Sequence, residues 1–175
     1  MSHYLVISAL GHDKPGIIEQ LTRLVVTHQC NIHDTRMTVL GGEFAILLMA
    51  SGSEAALKSI EKDLPALANA LGLTTITRWT EARNPSTGAR PYRVEVVALD
   101  HPGIVHEIAS FFSQQSINIE EMDTGTYAAA HTGSPMFSLE LVVNVPSNTG
   151  FRELRERFLD FCDERNLDAS IEPRK

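Results

Sequence analysis

"HDKPGII" at 12–18 and "DHPGIV" at 100–105 carry one pattern: Asp, any residue, Pro, Gly, then two branched aliphatic residues. A repeat is looked for first, because missing one misassigns the whole fold. A shift of 87 lays Asp13 on Asp100, Pro15 on Pro102, Gly16 on Gly103 and Ile17 on Ile104, and further on Asn31-Ile32 on Asn118-Ile119. The shift grows to 93 at Phe44 and Phe137, and to 94 at Leu73 and Leu167. The matches keep their order across each half. The chain is therefore one unit written twice, with a longer loop in the second copy.

Each copy has the same local signals. "YLVISAL" (4–10) and "YRVEVVAL" (92–99) are rich in β-branched residues and read as strands. Behind each Pro-Gly comes a helical spacing, Ile17, Leu21, Leu24, Val25 and then Ile104, Ile108, Phe111, Phe112. Asp13 and Asp100 are expected near the helix N-cap, with proline in the first helical turn. A strand at 34–40, a Gly41-Gly42 turn and the strand "EFAILLMA" (43–50) read as a hairpin. The second hairpin has the longer loop "TYAAAHTGSP". A second helix follows Ser53 and shows Leu57, Ile60, Leu64, Leu67 and Leu71, with a kink or break expected near Asp63 because of Pro65. Its counterpart shows Phe151, Leu154, Phe158 and Phe161. "LTTITRW" (73–79) and "LDASIE" (167–172) close the copies.

The order βαββαβ, twice, predicts an α+β protein of two ferredoxin-like units with antiparallel sheets. The expected boundaries are 1–80 and 92–175, joined by a polar linker at 81–91 containing Pro, Ser and Gly. Strands such as "AILLMA" are apolar on both sides, so both sheet faces are expected to be largely buried. An exposed strand edge invites pairing, so packing of the units and a homo-oligomer are expected as well.

The chain has 175 residues, a net charge of −7 and 43% hydrophobic residues. No cluster of Lys and Arg is present to neutralise phosphates, which argues against direct nucleic-acid binding. No apolar run reaches the roughly 18 residues of a membrane span, and the first residues lack a signal-peptide pattern. The expected location is the cytoplasm. Cys30 and Cys162 are read as buried small hydrophobes rather than a disulfide. His12-Asp13 and Asp100-His101 invite an acid–base reading, but no nucleophile motif or metal-ligand spacing accompanies them. No metal or cofactor is expected.

Two readings of the turn stay open on chemistry alone. The helix N-terminus behind glycine presents unpaired N–H groups that suit a carboxylate, and Asp13 or Asp100 could accept from an ammonium group. The other reading is that Asp simply caps the helix and Pro-Gly shapes its entry. Asn31 and Asn118 can either hold an amino-acid ligand with their amides or simply turn the chain into the next strand.

Strand, D-x-P-G-[IV], helix, N-I, hairpin, helix, strand resembles the ACT domain, a regulatory module that commonly binds small amino acids. The resemblance covers nearly the whole chain. Many ACT domains have glycine just before the x-N-I segment, where Gln29 and Ser116 stand here. By position, the resemblance implicates Asp13, Lys14, Gly16, Asn31 and Ile32 in one copy, and Asp100, His101, Gly103, Asn118 and Ile119 in the other. Two such domains without a catalytic domain imply a non-enzymatic regulator with a small amino acid as effector, glycine first. The implied role is glycine-responsive repression of genes for glycine breakdown, through contact with a LysR-type activator protein. The alternatives are a regulatory subunit of a metabolic enzyme, and a small enzyme with a His–Asp site.

Overall fold

The computed structural model describes residues 3–82 and 88–174. The chain divides into two compact units, Met1–Asn84 and Pro85–Lys175. The first contains β1 (His3–His12), α1 (Ile17–Thr27), β2 (Asn31–Leu40), β3 (Glu43–Gly52), α2 (Glu54–Leu71) and β4 (Leu73–Thr80). The second contains β5 (Ala89–Leu99), α3 (Ile104–Gln114), β6 (Asn118–Ala128), β7 (Pro135–Pro146), α4 (Phe151–Asp163) and β8 (Asp168–Pro173). The sheets run β2-β3-β1-β4 and β6-β7-β5-β8, and every neighbouring pair is antiparallel. This is the expected doubled α+β ferredoxin-like fold. Of the segment read as a linker, 83–87 lies outside the described residues, and Ala89–Pro91 already belongs to β5.

Period-two alternation puts one side of each central strand against the helices. Leu5, Ile7 and Ala9 of β1 and Phe44, Ile46, Leu48 and Ala50 of β3 are buried. Ile17, Leu21 and Val25 of α1 and Leu57, Ile60, Leu64, Ala68 and Leu71 of α2 close over them. The second core repeats the plan around Phe112 and Phe158, whose ring centroids lie 5.2 Å apart. Cys30 and Cys162 are free and buried, and burial pushes the Cys162 thiol up to about 12.

Gly41 and Gly42 both have positive φ, 59° and 89°, as a two-residue hairpin with strand-matching twist requires. Of the kink or break expected near Asp63, the break does not occur. Pro65 does not break α2, which runs unbroken from Glu54 to Leu71. Pro65 itself is exposed, while Leu64, Ala68 and Leu71 around it are buried, so packing holds the helix across the missing N–H bond. Within the first unit taken by itself, only one sheet face is covered by helices. On the face away from the helices, Leu47 is 53% and Ile76 61% exposed. In the second unit that face is charged instead of apolar.

Candidate functional site

Both Asp-x-Pro-Gly segments form the same turn. The Asp13 N–H donates to the Gly42 carbonyl at 2.9 Å, and the Asp100 N–H to the Pro135 carbonyl at 2.9 Å, tying each turn to its hairpin. The helix N-caps are Gly16 (φ 94°) and Gly103 (φ 104°), both left-handed, and no side chain caps either helix. The capping role expected for Asp13 and Asp100 is therefore absent, and Pro15 and Pro102 precede the N-cap instead of opening the helix. Only glycine takes this backbone geometry without strain. The consequence is a helix N-terminus whose first N–H groups have no side-chain acceptor of the capping kind, three residues after an exposed Asp.

Lys14 and His101 are exposed at the turns. The His101 ring turns back on its own backbone, Nδ1 lying 3.1 Å from the Pro102 carbonyl oxygen. A hollow of about 420 Å³ beside the second turn is walled by Ile104, Val105, Ala109 and Phe137, with His101 and His106 at its edge. His12 does not pair with Asp13: its Nδ1 lies 3.6 Å from Glu43, and both side chains are exposed.

Asn31, Ile32, Asn118 and Ile119 stand elsewhere. Asn31 pairs with Ser51, and Ser51 with Tyr4 at the start of β1, whereas the Asp13 turn follows His12 at its end. At about 3.3 Å per residue the two ends are roughly 25 Å apart. Asn118, opposite Asn144, is separated from the Asp100 turn in the same way. One unit alone therefore does not bring its asparagine to its own turn. Just after each Asn-Ile the register slips, between Ile32 and Asp34 and between Ile119 and Glu121. Such bulges re-aim side chains and gather near binding sites. Nothing in the composition of "NIHD" or "NIEE" announced them. Gln29 and Ser116, just ahead, both have φ 55°, which accounts for the glycine usual there.

The outer sheet faces differ in a way the repeat makes exact to the residue. In the first unit Arg36, Leu47, Ser8 and Ile76 stand in one cross-strand row. The same row in the second unit reads Asp123, Glu140, Glu95, Ser170. Three carboxylates are thus directly opposed, an unfavourable arrangement eased by Arg93, 2.9 Å from Glu95 and 2.7 Å from Glu140. This face lines a concavity of about 600 Å³.

Residues 3–77 match the ACT domain family model. The chain is 32% identical over 169 residues to the glycine cleavage system transcriptional repressor of Escherichia coli K12, covering 97% of this chain and 89% of that protein. A crystal structure of a proposed glycine cleavage system transcriptional repressor superposes with a TM-score of 0.75 at 28% identity, covering 100% of this chain and 99% of that one. An unknown protein from Galdieria sulphuraria shares the fold over the full length of both chains, with a TM-score of 0.81 at 23% identity.

Proposed function

Because the chain is a tandem member of the ACT-domain family, related along nearly its whole length to a glycine cleavage system transcriptional repressor, we propose that it is a non-catalytic regulator that senses a small amino acid. Glycine is the first candidate. The regulated process is expression of glycine-cleavage genes, and the contact is with a LysR-type activator protein, not with DNA. A net charge of −7 is consistent with a protein partner in place of phosphate contacts.

The observation that carries the effector reading is the repeated left-handed glycine that leaves a helix N-terminus without a side-chain cap, three residues after an exposed Asp. A zwitterion matches both features at once, its carboxylate on the N–H groups and its ammonium near Asp. Asparagine joins such a site when an edge strand lies antiparallel beside that of a second copy of the chain. Every residue of β2 is exposed. Asp34 and Arg36 lie on either side of Thr35, so a two-fold pairing about Thr35 sets unlike charges opposite each other. The same pairing carries Asn31 of one copy toward the Asp13 turn of the other. β6 offers Glu121 and Asp123 at the corresponding places, with no cation between them on the strand, although Arg174 holds Glu121 at 3.0 Å.

Calorimetric titration with glycine and serine tests this reading. Asn31→Ala is expected to weaken binding by about five- to a hundredfold, the loss of one partner to a buried polar ligand group being about 1–3 kcal/mol. An unchanged affinity in a folded variant would make Asn31 a structural turn. Capture of a LysR-type activator by the immobilised full chain, with and without glycine, tests the partner. Equal capture under both conditions removes the effector link.

A further inference from the structure

The two turns are alike in backbone and unlike in the side chain that leans on them. A methyl group built on Gly16 would lie 3.9 Å from the Gln20 amide nitrogen, and one on Gly103 3.8 Å from Glu107 Oε1. Gln20 and Glu107 are the same position of the repeat, each four residues after the N-cap and each donating its backbone N–H to the N-cap carbonyl. Side chains on a helix tilt toward its N-terminus, so both reach back to the turn. In the first copy that reach delivers an amide, whose NH₂ can donate to an incoming carboxylate. In the second it delivers a carboxylate.

Glu107 is held where it is. Its Oε2 is shut off from solvent without a hydrogen-bond donor, and the Arg165 Nε lies 3.4 Å away as its ion partner. Arg165 is fixed in turn, stacked 3.9 Å over the Phe161 ring and donating to the Phe161 carbonyl at 3.0 Å. The first copy has no such anchor: the shift of 94 lays Arg165 on Leu71, which is buried. The first copy does carry an acid in its opening helical turn, Glu19, but Arg23 on the following turn takes that carboxylate. The hollow beside the second turn is walled mainly by Ile104, Val105, Ala109 and Phe137, with His101 and His106 among its lining; the cation paired with Glu107 is Arg165, on its Oε2, while Oε1 faces the turn.

Resting on the amino-acid reading above, we infer that the two copies are not equivalent sites. Gln20 admits the effector's carboxylate to the first turn, and Glu107, locked by Arg165, already supplies the negative charge at the second and keeps a ligand carboxylate out. The edges differ in the same sense: β2 carries the unlike pair Asp34 and Arg36, whereas β6 carries two acids, Glu121 and Asp123, the first of them held by Arg174.

The test is glycine titration of the full chain by calorimetry, with thermal melts as the folding control. Wild type is expected to bind one glycine per chain. Gln20→Glu is expected to weaken that binding by about tenfold or more, a second carboxylate having been placed against the ligand's own. Glu107→Gln is expected to keep the first site and add weaker binding at the second turn. In a two-dimensional NMR titration of wild type, the amides of 16–20 should move and those of 103–107 should stay. Two equal sites in wild type, or binding that survives Gln20→Glu in a folded protein, would overturn the inference and leave the amino-acid reading standing. An unaltered single site in Glu107→Gln would overturn the role given to Glu107. No binding of glycine or serine by any form overturns the inference and the reading together.

Discussion

Four residues in these units sit at helix exits with left-handed backbone, and glycine supplies only one of them. Gly72 has φ 70°, while Gln29, Ser116 and Asn166 each have φ 55°. For a residue with a Cβ that geometry costs about 1–2 kcal/mol. Glycine removes the strain but gives back entropy to the unfolded chain. Gln29→Gly and Ser116→Gly are therefore each expected to stabilise their unit by about 0.5–1 kcal/mol, read as a higher urea midpoint at unchanged slope. A lower midpoint would mean that the Gln or Ser side chain contributes more than its backbone costs. At this scale the sequence was an uneven guide. Period and branching marked the buried residues, because burial acts on side-chain chemistry. Backbone sign at Gln29 and Ser116 left no chemical trace beyond the family's habit of glycine there. Gln20 and Glu107 look like ordinary helix residues until their reach toward the turn is seen.

Among the elements, those with local causes were legible and those with tertiary causes were not. Gly41-Gly42 makes its hairpin by its own torsions. Pro65 signals a kink or break by the same local logic, and the buried residues around it keep the helix from breaking. The distance between Asn31 and the Asp13 turn was also hidden, since sequence order places them on either side of one helix while the sheet sends them to opposite ends. The edge strand β2 carries a prediction of its own. In a two-residue hairpin the flanking pair, Leu40 and Glu43, is hydrogen-bonded, and bonded pairs alternate along the ladder. Met37, three residues back, thus points its N–H away from β3. Met37→Pro removes an outward donor while sparing the pairing with β3. Sedimentation is expected to show a dimer for wild type and a monomer for this variant, with the melt retained. A variant that still dimerises would rule out β2 as the shared edge.

At the scale of the whole molecule, each unit encloses its own apolar core, and no residue is common to the two. Residues 88–174 expressed alone are expected to unfold in a single cooperative transition, monitored by circular dichroism and urea. A broad, non-cooperative loss of structure would show that this core is incomplete by itself. The two units use the same scaffold differently, and the row of opposed carboxylates, Asp123, Glu140 and Glu95, held by Arg93, bears on how copies of the chain could add to one another. A chain with two unlike adhesive surfaces can add copies end to end and lengthen into a filament, whereas one self-matching surface is used up when two copies meet. The first unit has the matching edge and the exposed Leu47 and Ile76. In the second unit the same lattice positions hold like charges that repel their own image. Were two copies to join through the edge of the first unit, the acidic row would act as a terminator, leaving the pair no second self-matching surface on which to lengthen.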